Sequence, residues 1–269
     1  MKKLTRILVK IVMGGISTAA VTLLLVSYWS TDLRADETDA KNILKAMSDY
    51  IESQEALSFE YDSILEIVTT DGQKLGLASS GSVILKRPDK IRATRSSGFA
   101  DVEIFFNGKT LTLLGKDLNI YSQIELPGTI DHLVNELKDT YNRPLPAADL
   151  LLSNSYEEMM LDVVDVKDLG SGVIGGVECD HLAFRKKEVD WQIWIAHGDH
   201  PYPARYVITS TFIDGGPQYS IQTRNWKTGN KVPSKGFTFL NPTMADNVDL
   251  KDLEGTDHLP GHFKIGGAK

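Results

Sequence analysis

The spacing of apolar residues changes from a helical period to a strand period soon after residue 50. The apolar positions of residues 36–53 fall on one face of a helix, at Ala40, Ile43, Leu44, Met47, Tyr50 and Ile51. From residue 59 the apolar positions alternate with acidic ones and share one face of a long strand, at Phe59, Tyr61, Leu65 and Ile67. The sequence therefore predicts one amphipathic helix followed by a strand with one wet face.

Short alternating segments then recur, separated by turn residues such as Asp71-Gly72 and Asn107-Gly108. Asn-Gly between two alternating segments is a strong signal for a tight hairpin. Strands are predicted at 75–86, 90–95, 102–106, 110–114, 118–122, 163–169, 176–185, 189–196, 205–212, 218–226 and 236–240. Between them lies a helical insert, with helices predicted at 130–137, 147–152 and 156–161. This order predicts an antiparallel meander rather than a βαβ fold.

About a dozen strands, one long helix and a helical insert define a mostly antiparallel α+β fold. We predict a single strongly curved sheet whose concave side is covered by the opening helix and the insert. This domain spans residues 36–250. Residues 251–269 are rich in glycine and poor in clustered apolar residues, which predicts a mobile tail.

The first 35 residues have the pattern of an export signal. Lys2, Lys3, Arg6 and Lys10 precede an almost wholly apolar run, residues 11–29. The run is long enough either for a cleaved signal peptide ending near Ala35 or for an uncleaved anchor in the inner membrane. Both interpretations place the remainder of the chain in the periplasm.

Composition and charge narrow the classes of function. The 269 residues are 42% hydrophobic and 24% charged, which is typical of a globular protein, and the single Cys179 excludes an intramolecular disulfide. The formal net charge is −7, and without residues 1–35 it becomes −11. This excess of negative charge argues against a nucleic-acid partner and against membrane binding by a polybasic patch. Contact with a membrane is expected only through the N-terminal segment.

Candidate catalytic groups are few. His197-Gly198-Asp199-His200 offers two imidazoles and a carboxylate, and His181 lies on a neighbouring predicted strand. The same segment is typical of a hydrophilic turn, so we predict no tightly bound metal and no cofactor. Hydrolase motifs are absent from the sequence. Cys179 lies between two acidic residues, which disfavour a reactive thiolate.

Several segments resemble an uncharacterised family of predicted periplasmic proteins. They are Arg87–Arg92, Asn107-Gly108-Lys109, Pro146–Leu151, Gly176–Arg185, Val189–Ile195 and Pro203–Thr209. That family looks related in fold to the lipoprotein carriers LolA and LolB and to the amino-terminal part of RseB. The resemblance implies a half-open β-barrel with helices over an apolar cavity. In the carriers an arginine on an early strand grips the lipoprotein, and Arg92 and Arg95 are candidates by position.

The leading hypothesis is non-catalytic binding of a lipid, an acyl chain or a lipoprotein in the concave cavity. The predicted cavity residues are Met47, Tyr50, Phe59, Tyr61, Leu65, Ile67, Ile104, Phe106, Trp191, Ile193, Ile208 and Phe212. The alternative is an RseB-like sensor or envelope-assembly module that contacts another envelope protein and whose cavity is filled by its own side chains. A third hypothesis is a metal-assisted enzyme at His197 and His200.

Overall fold

The computed structural model describes residues 37–98, 100–141, 145 and 147–255. Three α-helices and three short 3-10 helices are present among these residues. The α-helices are α1 (Glu37–Ser53), α2 (Ile130–Asp139) and α3 (Ser155–Met160). The 3-10 helices are Ala148–Leu151, Gly229–Lys231 and Leu250–Gly255. None of the described helices is long and apolar enough to cross a membrane.

The described residues form one sheet of twelve strands. They are β1 (Ala56–Val68), β2 (Lys74–Lys86), β3 (Lys90–Ser97), β4 (Asp101–Phe106), β5 (Thr110–Gly115), β6 (Ile120–Glu125), β7 (Asp165–Ile174), β8 (Val177–Arg185), β9 (Val189–Ala196), β10 (Pro203–Ser210), β11 (Gln218–Thr228) and β12 (Asp246–Asn247). Their spatial order is β12-β6-β5-β4-β3-β2-β1-β11-β10-β9-β8-β7. The first eleven strands pair antiparallel, as the turn signals predict, and only β12 pairs parallel, with β6.

The sheet is strongly curved and its two ends do not pair. β1 pairs with β2 on one side and β11 on the other, so the strands on either side of the insert meet at the centre of the sheet. β12 and β7 are the two edges. The result is a half-open barrel of the α+β class, which confirms the predicted fold.

The helices cover the concave face, and they do so unevenly. α1 packs on β7 and β9 and contacts α3 and the 3-10 helix Ala148–Leu151. Its buried face includes Leu44, Met47 and Ile51, the apolar positions that the helical spacing picks out. α2 lies across the other half, where the Ile130 N–H donates to the carbonyl of Pro88 at 2.9 Å.

The chain after β11 returns across the outer, convex face of β3–β6. The Phe239 ring lies 5.5 Å from that of Phe105 and 4.8 Å from that of Tyr121, centroid to centroid, and Val232, Phe237 and Ala245 in the same segment are buried. β12 then adds to the edge of the sheet beside β6. The strand predicted over 236–240 is therefore wrong, because these residues pack on the sheet by their side chains instead of pairing with a neighbouring strand.

Two predicted boundaries lie at the ends of the described residues. The tail predicted to start at residue 251 begins inside the 3-10 helix Leu250–Gly255, where Leu253 is 1% exposed. Two leucines, Leu250 and Leu253, are too few to give a periodic signal, so the sequence pattern missed this element. The predicted export segment, 1–35, and residues 256–269 lie outside the described residues.

Candidate functional site

A cavity of about 300 Å³ lies between the concave face and the helical insert. Its wall comes from β1–β5 and β11, and its cover from α2 and the 3-10 helix Ala148–Leu151. Apolar side chains dominate the lining, among them Val83, Ala93, Val102, Leu113, Val134 and Leu137. A mostly apolar concave site of this size falls within the ordinary range of small-molecule sites.

Four of the predicted cavity residues line this space: Phe59, Tyr61, Leu65 and Ile104. They occupy alternate positions of β1 and β4, so their side chains share the concave face of the sheet. The Phe59 ring stacks on Trp226 of β11 at 4.5 Å between centroids. Trp226 also lines the cavity, although the sequence pattern did not single it out.

The other eight predicted cavity residues lie elsewhere, and this part of the predicted site needs correction. Five are buried away from the cavity wall: Met47, Ile67, Phe106, Trp191 and Ile193. Tyr50 and Ile208 are partly buried against the core, and Phe212 is 41% exposed near the tip of the β10–β11 hairpin. Period-two alternation places side chains on a face, but it does not report what fills the space above that face.

The concave face therefore has a filled half and a hollow half. In the filled half, Trp191 stacks on Phe184 at 3.8 Å between ring centroids and meets Tyr206 edge to face at 5.7 Å. Ile193 beside them is fully buried, under the helices that cover β7–β9. Over β1–β5 the cover stands clear of the sheet and leaves the cavity. The space over the concave face is thus packed with side chains in one half of the sheet and open in the other.

A polar stretch interrupts the apolar wall where β1, β2, β3 and β11 meet. Tyr61 donates its hydroxyl hydrogen to the carbonyl of Thr94 at 3.0 Å, and burial raises the pKa of Tyr61 to about 12. The hydroxyls of Ser63 and Ser79 hydrogen-bond at 2.9 Å across β1 and β2. Among the described residues that line the cavity, Arg95 is the one with a basic side chain. The wall can therefore accept a polar group as well as a hydrocarbon.

The two arginines of β3 lie on opposite faces of the sheet. Arg92 points outward, where its Nε donates to Glu103 at 2.5 Å and its guanidinium lies 5.1 Å from the centroid of the Phe105 ring. Arg95, three residues later, lies on the cavity side. Of the two candidates named from the sequence, only Arg95 is positioned to meet a molecule in the cavity.

The cover carries an acidic residue that packs against the sheet. Asp149, in the 3-10 helix Ala148–Leu151, accepts a hydrogen bond from the Tyr206 hydroxyl at 3.2 Å. Burial raises the pKa of the Asp149 carboxyl above its usual range, and this hydrogen bond offsets only part of the rise. The pKa of Tyr206 is raised well above 10 by burial and by the neighbouring carboxyl.

This arrangement predicts how stability depends on pH. Between the ordinary pKa of an aspartate, near 4, and the raised pKa of Asp149, the folded chain holds a proton that the unfolded chain has released. The free energy of unfolding should therefore fall as pH rises through that window. Asp149→Asn keeps an acceptor for Tyr206, so it should remove this fall and stabilise the protein at pH 7. Urea unfolding at pH 4, 5.5 and 7 tests it.

Glu157→Gln, on the exposed face of α3, is the matched control and should keep the wild-type pH dependence. Equal pH dependence in wild type and Asp149→Asn would show that the Asp149 carboxyl carries no such cost.

The histidines of the third hypothesis each contact a different side chain. His197 Nε2 lies 2.7 Å from a carboxylate oxygen of Asp180, and the His200 ring meets the Tyr50 ring edge to face at 5.4 Å between centroids. His181 stacks on Trp194 at 4.0 Å. In the part of the chain that the structure describes, no three His, Cys, Asp or Glu side chains are grouped to hold a metal ion.

Cys179 is buried, and burial raises the pKa of its thiol.

Several solved structures are similar to this chain. The lipoprotein LppX of Mycobacterium tuberculosis is 11% identical over 74% of this chain and 100% of its own, with a TM-score of 0.44. A LolA superfamily protein of Nitrosomonas europaea is 13% identical over 74% of this chain and 97% of its own, with a TM-score of 0.35. The MucA/MucB complex of Pseudomonas aeruginosa contains a chain that is 14% identical over 73% of this chain and 59% of its own, with a TM-score of 0.40.

A comparison with curated proteins finds no match. A family model does match, over residues 40–251, and its description is predicted periplasmic protein (DUF2092). The match covers the domain from α1 into the last 3-10 helix. It confirms the resemblance seen in the sequence segments and agrees with the periplasmic location that the export pattern predicts. The chain belongs to the DUF2092 family of predicted periplasmic proteins.

Proposed function

We propose that this protein is a non-catalytic periplasmic binding protein that holds a single hydrocarbon chain of an amphiphile in the cavity over β1–β5. The observation that carries the proposal is the hollow half of the concave face, with its volume of about 300 Å³ and its mostly apolar wall. Away from the polar stretch, the wall offers water no hydrogen-bond partners, and a buried water needs two or more of them, so hydrocarbon suits this part of the space.

The cavity volume supports a ligand with one chain. An engineered apolar cavity of roughly 150 Å³ accommodates benzene, with six carbon atoms. Twice that volume suits about a dozen carbon atoms, which is one alkyl chain and not two or three. Each methylene moved from water into the cavity contributes about 0.8 kcal/mol. Arg95 and the hydroxyls of the polar stretch match the head group of such an amphiphile.

A variant that fills the cavity tests the proposal. Ala93 is part of the wall on β3, so Ala93→Phe should occupy the space that the ligand needs. We expect an organic extract of the wild-type protein, purified from the periplasm, to contain a stoichiometric amphiphile by mass spectrometry. The Ala93→Phe extract should lack it, while the melting temperature is unchanged or raised because the void is filled.

Ala46→Phe makes the same substitution on the exposed face of α1 and should keep the ligand. A wild-type protein that carries no extractable amphiphile and displaces no hydrophobic dye would contradict the proposal. That result would favour the sensor alternative, in which the domain acts through a protein partner.

A further inference from the structure

The wall of the cavity is incomplete without the C-terminal end of the described chain. No residue of β6 lines the cavity; on that side the lining includes Leu253, from the 3-10 helix Leu250–Gly255 that packs on β6. Leu253 is 1% exposed, so its side chain is enclosed as fully as those of the central core. We define residues 246–255 as the strap.

The strap is weakly attached compared with the segment before it. Three side chains of residues 232–245 are buried: Val232, Phe237 and Ala245. From residue 246 to residue 253, Leu253 is the one buried side chain. The backbone of the strap is held to the sheet edge by the two-residue pairing of β12 and by the Val248 N–H, which donates to the carbonyl of Tyr121 at 2.8 Å.

We propose that Leu253 sets the length of the chain that the cavity accepts, and that the strap is a displaceable wall. This inference rests on the proposed function. Release of β12, of the hydrogen bonds that the Asp246 and Val248 N–H groups donate to β6 and its preceding turn, and of the Leu253 side chain is a local opening. Local opening of a chain end costs less than unfolding of the sheet, so a ligand too long for the closed cavity can move the strap. A smaller residue at 253 lengthens the available space, and a larger one shortens it.

The experiment measures the affinity for saturated fatty acids of 8 to 18 carbons by displacement of a fluorescent naphthylamine dye. For the wild-type protein, affinity should rise about fourfold per methylene and then level off at the length that fills the cavity. Leu253→Ala removes three carbon atoms and should move the levelling point about two or three carbons longer. Leu253→Phe should move it shorter. These opposite shifts cannot both come from a general loss of stability.

Leu240→Ala is the matched control, because Leu240 belongs to the same C-terminal region but is 85% exposed. Its levelling point should equal that of the wild type, and thermal melting should show that all variants fold. The same levelling point in all four proteins would overturn the role of Leu253 and leave the proposed function intact. If no fatty acid binds the wild-type protein at any length, both proposals fail together.

Discussion

Replacing Ile193 with glutamine should destabilise the protein by about 3–5 kcal/mol, a large share of the roughly 5–15 kcal/mol that stabilises an ordinary domain. Ile193 is fully buried in the filled half of the concave face, among Phe184, Trp191 and Tyr206. Glutamine would lose the packing of the isoleucine and bury an amide with no partner. Urea unfolding of wild type and variant measures the difference.

The same substitution in the hollow half should have a different effect. Ile104 lines the cavity and is only partly buried, so Ile104→Gln leaves its amide room to turn toward the polar stretch. We expect a stability loss within about 1 kcal/mol. Binding of a hydrophobic dye should weaken by tenfold or more, because the wall becomes polar. Equal stability losses at the two positions would mean that the concave face is packed alike in both halves.

The architecture was predictable because strand alternation and turn residues report a local geometry that repeats along the chain. The alternation of Phe59, Tyr61 and Leu65 fixes which face of β1 is concave, and Asn107-Gly108 marks the β4–β5 hairpin. The meander connects neighbours in sequence, so the pairing of most strands follows directly. The pairing of β1 with β11 is non-local and depends on closure of the sheet around the insert.

The site was only partly predictable, and the difference between Ile104 and Ile193 shows the reason. Both residues lie in alternating strands and face the concave side. One faces a void and the other faces α1 and its neighbours, because the insert covers the sheet unevenly. The height of a helix above a sheet depends on the packing of side chains from distant segments. The apolar pattern within one strand carries no information on the height of the helix above that strand.

Leu253 and Trp226 were missed for a related reason. Leu253 directly follows Lys251 and Asp252, and Trp226 lies between Asn225 and Lys227 near the end of β11. Neither position belongs to a periodic apolar face. They enter the site because β12 brings the strap around the edge of the sheet and because Trp226 stacks on Phe59. In related sequences, isolated apolar residues near the ends of strands and helices would be the signal for further cavity residues.

Gly81→Ala should cost about 2–3 kcal/mol of stability, because Gly81 lies beneath the Tyr61 side chain. A Cβ at this position would be 2.0 Å from the carbonyl oxygen of Thr94 and 2.6 Å from the Tyr61 hydroxyl oxygen. The backbone oxygen cannot move without separating β2 from β3. The Tyr61 ring would therefore be forced off its hydrogen bond to Thr94 and into the cavity, which should also weaken dye binding.

Gly76→Ala is the control on the same strand, since a Cβ there meets only the exposed Ile64 side chain, at 3.2 Å. It should cost less than about 1 kcal/mol. The phenol of Tyr61 supplies an independent measurement: its pKa, raised to about 12 by burial, should change in Gly81→Ala, where the ring moves, and stay unchanged in Gly76→Ala. Absorbance titration of the tyrosines, with Tyr61→Phe as the reference, isolates the pKa of Tyr61. If Gly81→Ala is as stable as wild type, and the Tyr61 pKa does not move, the close approach of these strands does not shape the cavity wall.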